Sequence, residues 1–286
     1  MCGTATNRLA AIGNAVRRCD RSDAHRYTPG VILDRLPPLE VEGTATKETE
    51  REAVVVLVAS TVLLVAFFYW GRPGFFFTSG IAGWAGDVAS GVAPEDIGVG
   101  AYLWWGLASL VLRVGVPLAL AYWLLRRLPG DYGFRVRGVM RHLPVYGLMY
   151  LVMLPLLVWA SSFSSFLSYY PFYDRAAAGG SAFWLYELGY AFQFVGVEAF
   201  FRGFMTFGLA RRVGALAIPI MTVPYTMIHF TKPVPEAFAA IGAGLILGYM
   251  ALRSRSWVPG VFLHIAVALT MDLLVLARTG AVGNIL

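Results

Sequence analysis

AYLWWGLASLVLRVGVPLALAYWLL, residues 101–125, carries a single charge, Arg113, in 25 positions. A helix rises about 1.5 Å per residue, so roughly 20 such residues cross the ~30 Å hydrocarbon core of a bilayer. The same kind of run recurs along the chain. Apolar stretches fall at about 53–70, 101–128, 143–168, 182–210, 213–230, 235–252 and 256–277. Strands are a poor alternative, because unpaired backbone groups are costly in lipid and no alternating barrel pattern is present. The reading is an all-α polytopic membrane protein with about seven transmembrane helices in a bundle.

Composition agrees. Apolar residues make up 58% of the 286 and charged residues 14%, against about 45–50% and 25% in globular chains. Residues 1–52 hold 8 basic and 8 acidic side chains and are expected to form a largely disordered cytoplasmic tail, without the uninterrupted apolar run of a signal peptide. Both cysteines, Cys2 and Cys19, lie there, so no disulfide framework is expected. Residues 71–100 are rich in Gly, Pro and Asp and read as a long loop. Three regions follow: the tail at 1–52, N-terminal helices and loops at 53–180, and a C-terminal core at 181–286.

Basic residues set the expected orientation. With seven spans, 17 fall on the side of the tail, including Arg126, Arg127, Arg135, Arg137, Arg141, Arg211, Arg212, Arg253 and Arg255. Only Arg72, Arg175, Lys232 and Arg278 fall on the other. The expectation is an inner or plasma membrane protein with its N-terminus cytoplasmic and its C-terminus outside. The bilayer is a partner and nucleic acid is not.

Charges inside spans cost about 2.5–3.5 kcal/mol each at the bilayer centre, so each needs a reason. The candidates are Arg113, Glu198, Arg202, His229, His264 and Asp272. Glu198 and Arg202 are four residues apart on one helical face and can pair. A carboxylate and two imidazoles can activate a water, or hold a metal that does. Arg113 reads as a partner for a helix carbonyl or a lipid headgroup, and Glu187 as a group at a span end reaching the interface. Ala240, Gly244 and Gly248 form a small-residue packing stripe.

Val197-Glu198-Ala199-Phe200-Phe201-Arg202-Gly203 resembles the first motif of the CPBP intramembrane proteases, the group containing CAAX prenyl endopeptidases and bacteriocin-processing and abortive-infection proteins. That motif is Glu-Glu-x-x-x-Arg. The second, Phe-x-x-x-His, is matched by Tyr225 to His229, and the third, His-x-x-x-Asn, by His264. The departures are Val197 at the first Glu, Tyr225 at the Phe and Ala268 at the Asn. The resemblance implies an intramembrane endopeptidase acting on a membrane-associated or lipidated peptide or protein. Glu198 and His229 would deprotonate a water, His264 would stabilise the oxyanion, and Arg202 would orient Glu198. Gln193 and Asp272 are candidates for the missing polar contacts, and motif order puts His229 within reach of Glu198. No cofactor is needed for the glutamic mechanism. A zinc ion held by Glu198, His229 and His264 is the alternative. A non-catalytic binding or scaffold protein on the same fold is the competing reading. A transporter is disfavoured, since no internal repeat is visible.

Overall fold

The computed structural model describes residues 42–83 and 97–285, and among them every regular element is helical. Most of the expected tail and part of the 71–100 loop lie outside these residues; the loop's described part includes a short helix, Pro73–Thr78. Helix α1 (Lys47–Gly71) starts six residues before the apolar run at 53. The cause is local. Thr46 caps it reciprocally with Thr49, and Glu48 and Glu50 occupy the first turn, where carboxylates favour the positive end of the helix dipole.

Helices α2 (Gly98–Leu124) and α3 (Val139–Ala160) follow. Gly180–Met227 is then a single 48-residue apolar stretch. Unbroken, it would run about 70 Å, more than twice the bilayer core. Gly214 divides it, at φ 59° and ψ −139°, a region essentially restricted to glycine. The first part, 180–213, is α4. The second, α5 (Ala217–Met227), has 11 residues and is about 17 Å long, so the span expected at 213–230 does not cross as a helix by itself. The chain continues through the turn at 228–233 into α6 (Val234–Ser254) and α7 (Val258–Arg278). Among the described residues six stretches are thus long and apolar enough to cross, the fourth containing both α4 and α5. This is an integral membrane protein of helical-bundle type.

Close approach of backbones sets the helix pairing. Gly106 on α2 faces the carbonyl of Gly189 on α4, and Gly196 faces Ser109, whose hydroxyl donates to the Gln193 carbonyl at 3.2 Å. On α6, Gly244 packs on Thr222 and Gly248 on Ile218 of α5, which makes the expected stripe the seam of a hairpin. Helix α7 packs on α3 and α4.

Each end of the bundle is tied by charge. At one end Glu52, 2% exposed, accepts from the Tyr132 hydroxyl at 2.6 Å and pairs with Arg127 at 3.3 Å and with Arg211. Burial and this bond hold the Tyr132 phenol above its ordinary pKa. At the other end Glu236 accepts from Lys232 and from the Tyr170 hydroxyl, both at 2.6 Å.

Candidate active site

Helix α4 is α-helical to Glu198 and then runs as a π-helix over Ala199–Phe207. Such wide turns inside α-helices are frequent at functional sites. Glu198 is 1% and Arg202 0% exposed. Arg202 Nη1 lies 3.1 Å from Glu198 Oε1, an ion pair without the geometry of a hydrogen bond. The guanidinium also lies over the Tyr225 ring at 3.9 Å, and its Nη2 donates to the Ala243 carbonyl at 3.4 Å.

The imidazole that meets the carboxylate is that of His264, on α7. Its Nδ1 is 2.6 Å from Glu198 Oε1. A carboxylate accepts, so the proton belongs on Nδ1 and the Nε2 lone pair is free to accept. The Tyr225 hydroxyl is 3.2 Å from that Nε2. Phe194 stacks on the ring at 5.0 Å, locking its orientation. The other carboxylate oxygen, Glu198 Oε2, is buried and has no donor among the described residues. It lies against Gly260, where an added Cβ would fall 2.6 Å from it.

His229 is placed differently from the expectation. It follows the end of α5, its Nδ1 donates to the Tyr225 carbonyl at 2.8 Å, and its ring meets the Tyr225 ring edge-on at 4.8 Å. Its link to the Glu198–His264 pair therefore runs through Tyr225. The direct imidazole partner of Glu198 is His264, which the motif reading had assigned to the oxyanion.

Gln193 and Asp272 are not brought to the pair. Gln193 is buried with its Oε1 lacking a partner. Asp272 accepts from Tyr186 at 2.8 Å and is adjacent to Glu187, two turns along α7 from His264. Glu187 is thus engaged inside the bundle, not at the interface.

Zinc does not fit the triad as arranged. Among the described residues no three His, Cys, Asp or Glu side chains converge on a point that could hold a metal. Glu198 and His264 bond each other, and His229 is turned to a carbonyl.

Tyr225, in the sequence only a departure from the motif's Phe, has a role that the structure brings out. It touches Arg202, His229 and His264 together. The available signal was its hydroxyl at a motif position that otherwise holds Phe, one turn before His229.

This geometry gathers the three motifs around one buried carboxylate. Residues 179–270 match the Rce1-like family model, type II CAAX prenyl endopeptidase. The match covers about a third of the chain and includes Glu198, Arg202, Tyr225, His229 and His264. It bears out the resemblance to CPBP proteases over that segment and supports, at family level, an intramembrane protease of CAAX type. No curated protein and no solved structure matches the chain.

Proposed function

We propose that the protein is an intramembrane endopeptidase in which Glu198 activates water against a peptide bond of a membrane-associated or lipidated substrate. One observation carries this reading. Glu198 Oε1 is fixed by Arg202 and His264, while Oε2 is buried and has no donor. A buried carboxylate oxygen without a donor is costly, and a water donating to it relieves that cost. Such a water is oriented for attack and has its base in contact. The proton passes to Oε2 as the new C–O bond forms, and then to the departing amine as the C–N bond breaks.

His264 and Tyr225 supply the rest. When Glu198 gains the proton, the His264 Nδ1–H and the Arg202 charge remain to steady it. The Tyr225 hydroxyl, which donates to His264 Nε2 at 3.2 Å, would turn its hydrogen from that acceptor to a developing oxyanion. His229 holds the Tyr225 backbone through its carbonyl.

The decisive measurement is cleavage of a panel of lipidated and unlipidated membrane peptides. Glu198→Gln keeps an acceptor for His264 but cannot take the proton. We expect it to lower turnover per folded molecule at least ~100-fold. Normal cleavage by that variant would eliminate Glu198 as the base. The non-catalytic reading draws on Val197 and Ala268, apolar and buried at two motif positions. It predicts peptide binding with no cleavage by the unaltered protein.

A further inference from the structure

Arg113 differs from the other buried arginine of the bundle. Its side chain is 3% exposed and sits in the π-helical turn Val111–Gly115 of α2. One face of the guanidinium is covered by Phe67, 3.5 Å from Cζ to the ring centroid. Among the described residues its Nε and Nη1 have no acceptor, and no carboxylate is near enough to act on its charge. Arg202 has Glu198, and the half-buried Arg127 and Arg211 share Glu52. A guanidinium does not shed its proton, and an isolated buried charge is costly. An aromatic face offsets only part of that cost.

A small cavity lies beside it, with room for about one water-sized body. It is partly open, and its lining includes Arg113, Pro117, Tyr132, Phe134, Ala199 and Phe204. The orphaned cation and the void at its side are separate observations, and together they specify an occupant. Arg113 offers only donors, the Tyr132 hydroxyl is committed to Glu52, and the rest of the named lining is hydrocarbon and aromatic. A water there could accept from Arg113 but would leave its own hydrogens without acceptors. A phosphate or carboxylate is too large. A monatomic anion accepts several hydrogen bonds, needs no acceptor, and cancels the charge.

We propose that this cavity is a halide site, with chloride bound by Arg113. Ala199 is the first residue of the π-helical segment and follows Glu198 directly. An occupied site therefore braces α2 against the turn of α4 that carries the catalytic carboxylate. The proposal stands whether or not the chain cleaves peptides.

The test uses the full-length protein in detergent. At constant ionic strength, replacing gluconate by chloride or bromide should raise the melting temperature by about 3 °C or more, to saturation. Arg113→Met should abolish the response and Arg113→Lys should retain a weaker one. Crystals grown in bromide should show an anomalous peak beside Arg113, a result that does not depend on any variant folding. Equal melting in gluconate and halide, or a response that survives in Arg113→Met, would overturn the proposal. So would crystals with water, a lipid phosphate or nothing at Arg113 in saturating bromide.

Discussion

The hydroxyl of Tyr225 is one oxygen, and its removal separates two roles of the residue. Tyr225→Phe keeps the ring under Arg202 and the carbonyl that His229 holds, because both contacts belong to other atoms. Stability should stay within about 1 kcal/mol of the unaltered protein. Turnover should fall about 100-fold or more if that hydroxyl meets the oxyanion, with KM little changed. Equal kcat with an intact melting curve would show the hydroxyl to be idle. Glu198, Arg202 and His264 were legible in the sequence because ionisable groups in apolar helices are expensive and stand out. Tyr225 was not, since tyrosine is unremarkable in a span and its importance comes from contacts with α4 and α7. The pairing of Glu198 with His264 was equally hidden, for it depends on how two helices are rotated.

At the scale of elements, hydropathy located the helices and misjudged their ends. A capped polar first turn, as at Thr46–Glu50, contributes no apolar signal. Neither does a π-helix announce itself, because periodicity is read against 3.6 residues per turn and Ala199–Phe207 is apolar apart from Arg202 and Thr206. The break at Gly214 fell at the expected division between spans, yet the short α5 did not follow from composition. Helix pairing yields a clean test. A Cβ at Gly189 would strike the Tyr102 carbonyl of α2, which is backbone and cannot swing aside. Gly189→Ala should therefore cost about 1–3 kcal/mol. Gly147→Ala on α3, where nothing lies within 4 Å, should be neutral or slightly stabilising. Detergent melting temperatures compare the two directly, and equal values would mean that α2 and α4 do not approach as described.

At the scale of the whole molecule, segments assigned to one side by their basic residues meet at one end. Glu52 joins the start of α1, the connection after α2 and the end of α4 through Arg127, Tyr132 and Arg211. Lys232 and Tyr170 meet at the other. We expect reporter fusions after Arg141 and after Lys232 to report opposite sides of the membrane, with Arg141 cytoplasmic. Both on one side would refute the span assignment. The charge tally could suggest these sides because loops carry it. It was silent on Glu52 as a fastening, since a carboxylate at the edge of a polar tail looks solvated until its three partners fold around it.

If the protein cleaves peptides as proposed, Gly260 opens a practical route to the identity of its substrate. Its missing side chain leaves the space into which Glu198 Oε2 faces, and a methyl there would fall 2.6 Å from that oxygen. The carboxylate cannot retreat easily, being held from the other side by Arg202 and His264. If Glu198 activates a water as proposed, Gly260→Ala should displace that water while every ionisable group stays in place. Turnover would be lost and the peptide-binding surface largely kept. Expressed in its own cells with a photo-crosslinking residue near His264, such a variant becomes bait: a polypeptide that the unaltered protein would cut and release would remain bound long enough to be captured and sequenced.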